Sequence, residues 1–212
     1  MEKGIFISLE GGEGVGKSTQ IDFIKKWFED HNLKYLCTKE PGGTPLGEQV
    51  RGILKYAKFE IVPRAELLLF NAARAELIEE VIRPAINIRI NVISDRFFDS
   101  TIAYQAYGRG LDVNTVIDIC KYATDQIEPD LTFWLDLPPK EAFERKFGAD
   151  KDDRMEQSGM KFHNNVYEGY KKLAETNSRI KRIDASKSIE EISSQIEYYL
   201  TQEFLKKITK KK

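Results

Sequence analysis

Cysteine is scarce in this chain. Two residues, Cys37 and Cys120, among 212 exclude a disulfide-stapled scaffold, and their separation has no metal-ligand spacing. Cys37 ends an apolar run and Cys120 lies in a helical one, so both read as buried thiols. Histidine is as rare. His31 and His163 stand outside every motif described below, and both read as surface residues. An excess of one charge is also lacking: 33 Lys and Arg against 34 Asp and Glu leave a net charge of −1. That balance offers no electrostatic footprint for nucleic acid or a membrane. The basic end Lys206–Lys212 reads as a solvated helix terminus rather than a binding arm. No apolar run suggests a signal peptide or a membrane span, and no repeat or low-complexity linker divides the chain. These absences point to one globular domain, 1–212, in a reducing, cytoplasmic compartment, with no nucleic-acid or membrane partner.

What is present is phosphate chemistry. Gly11-Gly12-Glu13-Gly14-Val15-Gly16-Lys17-Ser18, followed by Thr19, matches the pattern G-x-x-x-x-G-K-[ST]. Ile5–Leu9 before it is a short apolar run suited to a buried parallel strand. Thr19–Phe28 after it has helical spacing, with Ile21, Ile24 and Phe28 on one side. Strand, glycine turn and helix are what the chemistry needs. Glycines let the backbone wrap closely, so successive N–H groups and a helix N-terminus face phosphate oxygens. Lys17 adds a mobile positive charge, and the Ser18 hydroxyl can ligate magnesium.

Apolar runs at 33–38, 91–95, 131–136 and 179–183 predict four further strands. Helical patterns fill the intervals: 46–55, a long one from Pro63 to about Ile86, 101–107, 113–124, 140–147, 156–175 and 189–207. The alternation predicts an α/β fold with a five-stranded, mostly parallel sheet covered by helices on both faces. Ligands then bind at the carboxyl ends of the strands. The phosphate loop, Glu40, Asp95 and Asp136 all fall there.

Several constellations cluster at that edge. Asp95 and Arg96 put a carboxylate and a guanidinium together at a strand tip, which suits metal and phosphates. Asp136 suits a helix cap and a functional carboxylate equally. Lys39-Glu40-Pro41-Gly42-Gly43-Thr44 with Arg51 reads as a plain turn or as a ligand loop. Phe70 and Arg74 lie four apart, on one helix face. Small neighbours at Ala72, Ala73 and Ala75 leave room for a base that the pair could stack on and hydrogen-bond. Arg145–Arg154 holds four basic residues between helices. It reads as a solvated loop or as a lid that carries cations onto a transferring phosphate and excludes water.

Together these segments resemble the thymidylate kinase family. The resemblance rests on Leu9–Thr19, Lys39–Thr44, Leu69–Arg74, Asp95-Arg96-Phe97 with Ser100, Tyr104 and Gln105, and Asp153–Glu156, in that order. It implies transfer of the γ-phosphoryl group of ATP to dTMP with magnesium, in dTTP biosynthesis, by a homodimer with a P-loop kinase fold. It also implies site roles. Residues Gly11 to Thr19 and Arg145 would bind ATP, and Ser18 and Asp95 the metal. Glu13, Glu40, Arg51, Phe70, Arg74, Arg96, Ser100, Tyr104 and Gln105 would bind dTMP. Phe70 would stack on thymine, Arg74 would bond its carbonyl, and Tyr104 would crowd the sugar 2′ position. Lys17, Asp95, Arg96 and Arg154 would act on the transferring group, with a lid at about 146–156. The absence of arginine from Gly11–Gly16, with Arg145 and Arg154 downstream, is similar to the bacterial branch. Lys39 and Phe97 depart from the family's usual Arg and Tyr or His. Another small-molecule P-loop kinase and a partition-type nucleotide switch share the loop. Phe70, Arg74 and Tyr104 favour a thymine deoxynucleotide over the first. The lack of a signature lysine near Gly12 disfavours the second.

Overall fold

A computed structural model describes residues 3–145 and 153–209. Five parallel strands, β1 (Phe6–Glu10), β2 (Tyr35–Lys39), β3 (Asn91–Asp95), β4 (Leu131–Asp136) and β5 (Ile180–Asp184), form one sheet in the order β2-β3-β1-β4-β5. β1 sits at the centre. Its Ile7 pairs with Ile93 on one side and with Leu131 on the other.

Both faces of β1 are buried, which explains its unbroken apolar run. Ile5, Ile7 and Leu9 face one layer with Ile93, Phe133 and Leu135, under α1 (Lys17–Asp30) and α9 (Ile189–Thr209). Phe6 faces the other layer with Val92 and Phe97. Period-two alternation puts Ser8 and Glu10 on that second face too. Ser8 shares a 2.8 Å hydrogen bond with Thr132, so the polar residue is satisfied inside the core.

The second face is covered by α3 (Pro63–Leu77), α5 (Phe98–Thr101), α6 (Val113–Ala123) and α8 (Met160–Thr176). The long helix predicted over 63–86 forms, but it widens to π-helical turns at Ile78–Ile82 before α4 (Arg83–Asn87). Pro84 supplies the reason. It has no N–H and its ring crowds the preceding turn, and there the Arg83 N–H reaches back to the Ile78 carbonyl. A second π-helical stretch, Ile102–Gly108, follows α5. Gly108 lets α8 approach it closely, since a Cβ there would lie 2.6 Å from the Phe162 ring.

Three expectations are corrected. Cys37 is exposed, because β2 is an edge strand paired only with β3. His163 is buried on the inner side of α8, between the rings of Phe143 and Phe162 at 4.8 and 5.3 Å. Burial lowers its pKa. His31 is exposed, as predicted, and closes α1 with Nδ1 2.7 Å from the Trp27 carbonyl. The helix predicted from 156 starts at Met160 instead. The Asp153 carboxylate accepts from the Met155 N–H at 2.9 Å and starts a turn before it. Residues 146–152 of the expected lid, and the end of the basic tail, fall outside the described residues. No described helix is long and apolar enough to cross a membrane.

Candidate active site

A cleft of about 580 Å³ opens at the carboxyl ends of β1, β2 and β3. Its floor is the turn between β1 and α1. Gly11, Gly14 and Gly16 have positive φ. Gly16 caps α1 in the left-handed conformation at φ 95°, which frees the first N–H groups of that helix to face a ligand. A Cβ on Gly11 would lie 2.9 Å from the Leu135 carbonyl oxygen, so the loop sits against β4 with no room for a side chain. Glu13, Gly14, Gly16, Lys17, Ser18 and Thr19 line the cleft, whereas Gly11, Gly12 and Val15 lie behind it. The Lys17 ammonium folds over the loop and donates to the Gly12 carbonyl at 2.7 Å. Burial, and then the nearby Arg96 cation, push its pKa down. An anion arriving beside it reverses that destabilisation.

Arg96 stands at the centre. Its backbone is left-handed at φ 69°, held by a bond from its N–H to the Leu9 carbonyl (3.0 Å) and one from the Ser94 hydroxyl to its own carbonyl (2.6 Å). This unfavourable conformation turns the side chain back over the loop. The guanidinium donates to the Gly11 carbonyl (2.8 Å), Ser100 (3.1 Å), the Tyr170 hydroxyl (3.2 Å) and Glu13 (2.5 Å), and lies over the Tyr104 ring. Glu13 thereby neutralises the cation that a phosphate would seek. Asp95, one residue earlier, has a buried Oδ1 with no hydrogen-bond partner among the described residues. With the Ser18 hydroxyl, which lines the same cleft, that orphaned oxygen offers the hard donors a divalent cation takes. No group of three His, Cys, Asp or Glu side chains gathers among the described residues, so phosphate oxygens and water would complete such a site.

Another part of the lining is built from α3 and the loop after β2. Phe70 is half-buried and lines the cleft. Arg74 is buried and held from every side. Its Nε and Nη2 donate to the two Glu40 oxygens at 2.6–3.1 Å, Nη2 to Thr101 at 2.8 Å and Nη1 to Asn71 at 3.0 Å. Arg51 also lines the cleft and donates to the Pro41 carbonyl at 2.9 Å. Ser100, Tyr104 and Gln105 come from α5 and the π-helical stretch. Arg145 also reaches the cleft, braced by the Ala185 carbonyl at 2.7 Å.

One expected participant, Arg154, and one carboxylate left open between a cap and a function, Asp136, lie elsewhere. Arg154 does not line the cleft. Its Nη1 donates to the Leu54 carbonyl at 3.0 Å and its Nη2 to Glu66 at 3.4 Å. Asp136 is away from the cleft as well, its carboxylate paired with Arg182. Other residues join the site with no role assigned to them from sequence. Glu10 accepts from the Phe97 N–H (2.7 Å), the Ser100 hydroxyl (2.5 Å) and the Tyr170 hydroxyl (3.2 Å). Burial, with Asp99 nearby, pushes its carboxyl up to about 8. Tyr170 reads from sequence as core, because it shares an apolar helix stripe with Val166 and Leu173. Thr101 carries no sequence signal at all.

A phosphate cradle at the carboxyl edge of a parallel sheet, lined by Lys17, Arg51, Arg74, Arg96 and Arg145, defines a P-loop nucleotide-binding protein. Residues 9–196 match the family described as Thymidylate kinase. The chain is 45% identical over 202 residues to a thymidylate kinase of Chlorobaculum tepidum, covering 91% of this chain and 94% of that protein. It is similarly 42% identical to one of Carboxydothermus hydrogenoformans (93% and 97% covered) and 44% identical to one of Gloeobacter violaceus (91% and 92%). The chain belongs to the thymidylate kinase family, a family of nucleoside monophosphate kinases.

Proposed function

We propose that this protein transfers the γ-phosphoryl group of ATP to dTMP, giving dTDP and ADP for dTTP synthesis. The observation that carries this reading is one cleft lined by Phe70 and Arg74 as well as by Arg96 and Lys17; we read the first pair as the base end and the second as the phosphate end. In this reading the acceptor phosphate lies on Arg96 and Arg51, and displaces the Glu13 carboxylate, which turns to the sugar 3′ region. Phe70 stacks on thymine. Arg74, with Glu40 and Asn71 behind it, bonds the base carbonyl. Ser100 and Gln105 border the base, and Tyr104 crowds the 2′ position and selects deoxyribose.

The acceptor is already an anion, so the chain needs no general base. Catalysis is then positioning and charge neutralisation by Lys17, Arg96 and Arg145. Arg154 joins them only by leaving Leu54 and Glu66. ATP lies on Gly11–Thr19. Magnesium, held by Ser18 and Asp95, would neutralise the triphosphate when bound. The protein works in the cytoplasm as a homodimer.

The test is ADP release with ATP, magnesium and a panel of nucleoside monophosphates. Turnover should be strong with dTMP, weaker with dUMP and small with UMP, AMP or GMP. Preference for another monophosphate would overturn the base-end assignments. Hydrolysis with no acceptor preference would overturn the kinase assignment itself.

A further inference from the structure

Glu66 is fully buried in the first turn of α3, outside the cleft lining. Its carboxylate is a junction. Oε1 accepts from Gln105 Nε2 and from Arg109 Nε, both at 3.0 Å. Oε2 accepts from Arg109 Nη2 at 3.3 Å and from Arg154 Nη2 at 3.4 Å. Arg109 is itself fixed, stacked over the Phe162 ring at 4.5 Å. The two guanidiniums therefore hold the carboxylate still and leave one acceptor direction for Gln105.

A glutamine amide has two faces of opposite character: Nε2 donates and Oε1 accepts. Against a buried carboxylate only one orientation works. Reversal would set Oε1 against a Glu66 oxygen, two acceptors with no proton between them and a charge on one. Nε2 therefore faces Glu66, and Oε1 is left for the cleft that Gln105 lines. We infer that Glu66 is a positioning residue that fixes the direction of the Gln105 amide and so makes the base end accept a ring N–H. Thymine and uracil carry that N–H at N3. Cytosine presents a bare acceptor there and meets repulsion. The inference rests on the proposed dTMP reading, in which the base edge lies along Gln105.

The test compares Glu66→Gln and Glu66→Asp with the unmodified protein, reading kcat/KM for dTMP and for dCMP, with circular dichroism and Tm on each. Glu66→Gln keeps an acceptor for the arginines but supplies its own N–H, so the Gln105 amide can turn over. The dTMP-to-dCMP ratio should fall by about tenfold or more, because the site then accommodates both hydrogen-bond patterns. Glu66→Asp keeps the charge and should keep the unmodified ratio even where kcat/KM for both substrates drops. A folded Glu66→Gln with an unaltered ratio overturns the inference, as does lower activity and Tm at constant ratio. Should Glu66→Gln not fold, Glu66→Asp decides: loss of the ratio there overturns it. Absence of dTMP turnover in the unmodified protein would instead sink the dTMP reading, a failure seen before any variant is made.

Discussion

Replacing Glu40 by Ala removes three hydrogen bonds from the Arg74 guanidinium and leaves a buried, permanent cation. Asn71 and Thr101 remain as partners, but both are neutral. Arginine cannot shed its proton at any accessible pH. Breaking a buried ion pair on one side in this way costs about 3–5 kcal/mol. The converse variant behaves differently. In Arg74→Met the orphaned Glu40 can take up a proton, and burial already pushes its pKa up. A carboxyl whose folded pKa is raised contributes stability below its unfolded pKa and loses it as pH rises through the folded value. Arg74→Met should therefore be milder at pH 5 than at pH 8, while Glu40→Ala should cost similar amounts at both. The double variant, with no buried charge left, should cost well below the sum of the two single changes. Urea unfolding followed by the fluorescence of Trp27 and Trp134 reads all three. A Glu40→Ala cost under about 1 kcal/mol, or additive single and double variants, would refute the pairing argument.

Lys17→Ala should lower turnover by about a hundredfold or more with Tm unchanged, since its bonds reach only loop carbonyls; an active, folded variant would remove Lys17 from the transfer step. Arg154→Ala tests whether that arginine leaves its anchor during the reaction. If it acts on the transferring group, kcat falls far more than the dTMP KM rises, and unchanged kcat would confine it to bridging Leu54 and Glu66. Glu10, raised to about 8 by burial, contributes stability at acid pH that is lost between about pH 4.5 and 8. Glu10→Gln should flatten the pH dependence of unfolding in that window, and an unaltered profile would show that other groups produce it.

The strand-turn-helix around Lys17, the alternation of strands and helices, and the residues meeting at the cleft were legible in sequence because each is local. A glycine pattern, a period of two or 3.6, and a carboxylate at a strand end all lie within a few residues of chain. The structure brings Glu13, Arg51, Phe70, Arg74, Asp95, Arg96, Tyr104 and Arg145 to one cleft, as expected. The failures share a cause. Cys37 is exposed because strand order, not its own neighbours, makes β2 an edge. His163 is buried because α7 (Pro139–Arg145) packs on α8 and brings Phe143 to it. Arg154 sits on Glu66, which is far away in the chain. Sequence thus determined which segments form strands, helices and the phosphate cradle. Tertiary structure alone decided which polar group meets which: Arg96 with Glu13, Arg74 with Glu40, Glu66 with Gln105. Such pairs depend on distances between residues remote in the chain, and no local periodicity encodes them.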